Sequence, residues 1–187
     1  MSWKNIEAKI DAFIAENKEN IINDITTLVK YPSVSGDAVD GAPFGVECKK
    51  VLDKALEMCE GYGLATKNYD YYAGSASIGN GEKEISIMGH LDIVPVGDGW
   101  SNDPYTVVEK EGYLYGRGVD DDKGIVHDAA TSKQCLTRTP GLSATGRQRE
   151  ALGKIVKLIS VFIYGICGFS GESGCCGISG ALGAVSL

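Results

Sequence analysis

The sequence lacks a basic cluster, a signal-type leader, a paired-cysteine motif and an apolar run long enough to cross a bilayer. Each absence removes a class of function. The formal net charge of −7 and the isoelectric point near 4.9 argue against a phosphate-binding surface, since nucleic-acid binders displace counterions with clustered Lys and Arg. A small-molecule or peptide substrate is expected instead. The opening MSWKNIEAKIDAF carries charge throughout and has neither the apolar core nor the small-residue cleavage site of a secretory leader, so a cytoplasmic location is expected. The six cysteines (Cys48, Cys59, Cys135, Cys167, Cys175, Cys176) form no C-x-x-C pair and no zinc-finger spacing, and in a reducing compartment they remain free thiols. The longest apolar run, Ile155 to Phe169, is broken by Lys157 and falls short of the ~20 residues a membrane helix needs. A buried strand is its simpler reading.

What is present begins with helical periodicity. Ile6, Ile10, Phe13 and Ile14, then Ile21, Ile22, Ile25, Leu28 and Val29, recur at three and four, which predicts one or two amphipathic helices ended by Pro32. Val51, Leu52, Ala55, Leu56 and Cys59 repeat the pattern up to Gly61 and Gly63, giving a second helix. The period then shortens: Ala65–Tyr69, Ser75–Ile78 and Glu84–Met88 predict strands between glycine-rich turns. Tyr105–Glu109 and Tyr113–Tyr115 predict a hairpin leading to Gly116. Helices followed by strands imply an α/β layer architecture.

The chemistry concentrates in two places. His90-Leu91-Asp92 leaves an apolar strand, and Gly116-Arg117-Gly118-Val119-Asp120-Asp121-Asp122-Lys123-Gly124 follows about thirty residues later. If strand geometry persists, His90 and Asp92 point to one face. A neutral imidazole is the commonest protein ligand for zinc, and its second nitrogen is usually oriented by a carboxylate or carbonyl. The aspartate run supplies hard anionic ligands able to bridge two divalent ions ~3.5 to 4 Å apart, which can polarise a carbonyl and acidify a shared water. Singly, an H-x-D is commonplace and an acidic loop is usually solvated surface. The combination points to hydrolysis at a metal centre.

The full stretch MGHLDIVPVGDGWSNDPYTVVEKEGYLYGRGVDDDKG, with Tyr31-Pro32-Ser33-Val34-Ser35-Gly36 upstream, resembles the co-catalytic zinc peptidases. That family includes carnosinase-like bacterial dipeptidases, aminoacylases, succinyl-diaminopimelate desuccinylase and glutamate carboxypeptidases. The resemblance covers residues 1–124 and is nearest to cytosolic dipeptidases. It implies the N-terminal part of a metallopeptidase catalytic domain, an α/β fold with a mixed sheet and flanking helices, incomplete in this chain. It further implies two Zn2+, or Mn2+, per site and a dipeptide or short-peptide substrate. His90 then ligates one metal, Asp121 bridges both, Asp92 supports the catalytic site, and the Asp121 to Asp122 bond is cis. A desuccinylase or aminoacylase is the alternative substrate class within the family.

Beyond Gly124 the composition changes. Residues 1–123 hold 12 Lys+Arg against 22 Asp+Glu, a net of −10, whereas residues 124–187 hold 6 against 3, a net of +3. The stretch His127 to Arg149 is Ser/Thr/Arg-rich and lacks an apolar stripe, and His127, outside the motif, is expected to be incidental. Two units result: residues 1–124, of family type, and an atypical tail, 125–187. Within the tail, residues 154–178 return faintly to the family pattern, where Glu172 corresponds to a metal-ligand glutamate and Gly171 stands where the general-base glutamate belongs. Losing a positioned base costs ~10² to 10⁴ in rate, so impaired turnover or a non-catalytic fragment is expected. A frame disruption near codon 124 would account for the change. Glycines at every third position from 165 to 183 come without proline, which excludes a collagen helix and predicts a flexible end.

Overall fold

The computed structural model describes residues 3–79, 83–128, 156–163 and 184–186. The N-terminal stripe forms one continuous helix, α1, Trp3–Val29. Phe13, Ile25, Leu28 and Val29 are buried, whereas Ile10 and Ile14 are exposed. Helix α2, Val46–Gly61, buries Cys48, Val51, Leu52, Ala55, Leu56 and Cys59. It stops where the glycines predict. Gly63 N–H donates to the Glu60 carbonyl and Leu64 N–H to that of Cys59, with Gly63 at φ 73°; this crossed pair satisfies helix-end carbonyls at a left-handed position that favours glycine.

Strands β1 (Ala65–Tyr69), β2 (Ala73–Ile78), β3 (Lys83–His90), β4 (Val108–Lys110), β5 (Tyr113–Tyr115), β6 (Val156–Ile163) and β7 (Ala184–Ser186) form two sheets. The first runs β1-β2-β6-β3 and the second β4-β5-β7. β6 pairs antiparallel with β2 and parallel with β3, so the first sheet is mixed, and its middle contains a strand from beyond residue 124. In β2, a Cβ on Gly74 would stand 2.6 Å from a Leu52 methyl. Glycine there lets α2 lie close on the sheet.

The hairpin between β4 and β5 turns on Glu111 and Gly112, at φ 55° and 81°, the two positive angles of a tight turn that matches strand twist. β4 begins three residues later than the alternation suggests. Asp103 accounts for the difference: its carboxylate accepts Tyr105 N–H at 3.1 Å and Thr106 Oγ1–H at 2.7 Å, and its carbonyl accepts Thr106 N–H at 3.0 Å. These side-chain bonds draw the backbone into a turn that competes with the ladder.

Two apolar clusters flank α1. One joins Leu28 to the buried face of α2, Leu64, Ala76, Leu91 and Val126. The other joins Ile25 and Val29 to Leu114 and Val119. The segments holding His90 and Asp121 therefore rest on the same helix.

Candidate metal centre

His90 is the last residue of β3, and Asp121 lies in a wide helical turn, Val119–Lys123, with α-helical residues 124–128 behind it. Glycine makes that turn possible. A Cβ on Gly124 would fall 2.3 Å from the Val119 carbonyl oxygen, and one on Gly118, at φ 83°, would fall 2.9 Å from Ile93. Inside the turn Asp121 leaves helical geometry, at φ −128° and ψ 88°, and its bond to Asp122 is cis.

The three consecutive aspartates separate in role. Asp121, 84% exposed at its side chain, brings Oδ1 to 3.1 Å from His90 Nε2 across 31 positions of sequence. Asp122 turns inward, and its Oδ2 accepts the His90 backbone N–H at 3.0 Å. Burial raises the Asp122 carboxyl above its ordinary pKa, opposed by that N–H. A Cβ at position 89 would stand 2.8 Å from the same oxygen, so Gly89 admits Asp122. Asp120 stays exposed.

Asp92 lies fully buried behind the imidazole. His90 Nδ1–H donates to the Asp92 carbonyl at 2.9 Å, and the Asp92 carboxylate approaches the same nitrogen only to 3.4 Å. Among the described residues neither carboxylate oxygen has a hydrogen-bond partner. Anchoring Nδ1 turns Nε2 toward Asp121 as the free donor. The Asp92 carboxylate, then its carbonyl and the Asp121 charge, lift the His90 pKa to about 9 against the opposing effect of burial.

A second ring of contacts holds this pair. Ser33 Oγ–H donates to the Leu91 carbonyl at 2.7 Å, and Ile93 N–H to the Ser33 carbonyl at 3.0 Å, laying the Tyr31 to Val34 loop alongside the His90 to Ile93 segment. Lys123 is fully buried, and its Nζ donates to the Tyr31 carbonyl at 2.7 Å. Burial lowers its ammonium to about 7, while Cys48 and Asp92 pull the other way. His127, buried as well, meets Asp24 of α1 at 3.2 Å and Asp128 at 3.4 Å. Tyr62, just after α2, donates to the same Asp24 oxygen. Burial pushes the Cys48 and Cys59 thiols up to about 11 and about 12, so neither is an activated nucleophile.

The sequence thus names His90, Asp92 and Asp121, and the fold brings all three together. It gives no role to Asp122, Lys123 or Ser33, although all three lie inside the quoted motifs. Glu172, Gly171 and the glycine array fall outside the described residues, as do Cys135, Cys167, Cys175 and Cys176. Among the described residues, no helix is long and apolar enough to cross a membrane.

Residues 86–139 match the pattern of Peptidase family M20/M25/M40. Over that stretch the chain is similar to this peptidase family. It is 38% identical over 113 residues to the Putative dipeptidase YtjP of Bacillus subtilis, covering 59% of this chain and 24% of that one. To the Beta-Ala-Xaa dipeptidase of Lactobacillus delbrueckii subsp. lactis it is 36% identical over 110 residues, 57% of this chain and 23% of that one. The chain therefore spans about a quarter of the length of these relatives. Its fold is similar to that of human carnosine dipeptidase 1, with a TM-score of 0.66 at 22% identity over 84% of this chain and 34% of that chain. The M20 family metallo-carboxypeptidase Sso-CP2 from Sulfolobus solfataricus gives a TM-score of 0.57 at 19% identity, over 78% and 30% respectively.

The donor chemistry, an imidazole beside carboxylates, suits a divalent metal ion. An imidazole nitrogen and a carboxylate oxygen 3.1 Å apart are spaced as two atoms each ~2.0–2.2 Å from one ion. Among the described residues no group of three or more His, Cys, Asp or Glu is placed to hold a metal.

Proposed function

We propose that this chain is the metal-binding portion of a dipeptidase of the M20 type, with His90 and Asp121 as ligands to a Zn2+ or Mn2+ pair. The observation that carries the reading is the approach of His90 Nε2 to Asp121 Oδ1 at 3.1 Å, made by the two residues that the motifs single out. The ions would supply an acidified water and a polarised peptide carbonyl. The chain's own side chains do the positioning: Asp92 fixes the imidazole, Asp121 presents an exposed carboxylate able to bridge, and Asp122 secures the backbone under His90. The dipeptidase names of the relatives support a dipeptide as substrate, and the net charge of −7 argues against a nucleic-acid partner.

Glu172 is the candidate for a further ligand. Gly171 beside it cannot act as a general base, so turnover by this chain is negligible in this reading. Residues 1–124 form the part with the family's pattern and 125–187 an atypical unit. Translating the two other frames downstream of codon 124 checks that division; failure of both frames to continue the family pattern counts against a frame disruption.

A panel of dipeptides, N-acyl amino acids and succinylated amines, offered with zinc or manganese and with a chelated control, tests the activity. Slow, metal-dependent release from dipeptides supports the reading. Preference for an acylated or succinylated substrate assigns the site to the other substrate classes, and vigorous dipeptide turnover contradicts the role given to Gly171.

A further inference from the structure

Lys123 is the largest fully buried residue among those described, and neither metal donation nor surface charge explains it. Its path is specific. The stem passes Gly118, where a Cβ would lie 3.3 Å from Lys123 Cδ, and Nζ ends on the Tyr31 carbonyl at 2.7 Å, 92 positions away in sequence. Its backbone N–H meanwhile donates to the Gly118 carbonyl at 3.0 Å. One residue thereby closes the turn that holds Asp121 and fastens it to the loop after α1. That same loop grips the His90 segment through Ser33 and Leu91 at 2.7 Å, and through Ile93 and Ser33 at 3.0 Å. Tyr31 to Ser33 is therefore the common anchor of both proposed ligands, and Lys123 is the tie on the Asp121 side.

We propose that Lys123 is a positioning residue of the metal centre, setting Asp121 opposite His90 through its bond to the Tyr31 carbonyl. This inference rests on the metal-centre reading above. The tie does not depend on charge, because ammonium and amine both keep an N–H to donate. A buried carbonyl that loses its donor has reason to move toward another partner, and a shift of the turn separates two ligands that a metal needs within a few tenths of an ångström.

The test uses the full chain and binding of Mn2+ and Zn2+ alone, read by titration calorimetry, with thermal unfolding followed in parallel. Lys123→Met keeps the stem and removes the donor. Leu56→Ala, on the buried face of α2 against Gly74 of β2, serves as a structural comparator. Metal affinity is expected to fall about 10- to 100-fold in K123M and to stay unchanged in L56A at a temperature where both are folded. Should K123M not fold, Lys123→Gln, whose shorter stem cannot make the same bond, is measured against the same expectation. Unchanged affinity in the folded Lys123 variant overturns the inference, as does an equal loss in L56A. If the unmodified chain binds neither ion, the metal-centre reading itself fails and takes this inference with it; binding that is indifferent to Lys123 refutes only the latter.

Discussion

At the residue scale, the His90 environment makes metal binding a proton-exchange reaction. With its pKa raised to about 9, the metal-free imidazole is charged at pH 7 and must lose a proton before Nε2 can ligate. Near one proton per His90 is expected to be released at pH 7, measurable by calorimetry in buffers of different ionisation enthalpy; no buffer dependence would remove His90 from the shell. The same shift gives a stability prediction. Because the folded pKa lies above the ordinary 6.5, its stabilisation is complete below about pH 6.5 and disappears as pH rises through about 9. Melting of the metal-free chain across that window should show the decline, and His90→Ala should flatten it. His127 illustrates a limit of reading residues alone. An isolated histidine outside a motif looks incidental, yet it is buried against Asp24 at 3.2 Å, 103 positions away, and sequence gives no sign of that partner. Replacing it by Ala takes one of two named partners from a partly buried Asp24, leaving Tyr62, and a loss of about 1 kcal/mol is expected, read as a lowered midpoint in urea.

At the scale of elements, the turn Val119–Lys123 depends on what its glycines omit. Gly124→Ala places a methyl 2.3 Å from the Val119 carbonyl oxygen, a clash with backbone that cannot swing aside. Loss of metal affinity together with a drop of several degrees in Tm is expected; a variant with unchanged Tm and affinity would show that the turn has another shape. The helices and first three strands were legible because periods of 3.6 and 2 mark faces that meet a core. The start of β4 was not, since Asp103 redirects Tyr105 and Thr106 through side-chain bonds that alternation does not register. The metal motif was readable as a set of residue types, whereas the division of labour between Asp121 and Asp122 depends on backbone angles that no composition encodes.

For the whole molecule, the notable arrangement is β6, placed between β2 and β3. Charge and periodicity set residues after Gly124 apart, but strand pairing is a backbone property and joins Val156–Ile163 to both neighbours over their length. Ser160 pairs with Ala76 on one side and Ile87 on the other, so Ser160→Pro removes a ladder donor in mid-sheet. A marked fall in Tm is expected; an unaltered melt would mean that the sheet does not rely on β6. The central claim remains that His90 and Asp121 share a divalent ion. Equilibrium dialysis of the full chain against Zn2+ and Mn2+, beside His90→Ala and Asp121→Asn, tests it most directly. The account predicts saturable binding by the unmodified chain and a loss of at least about tenfold in each variant. Equal uptake by all three chains, or none by the first, would contradict it.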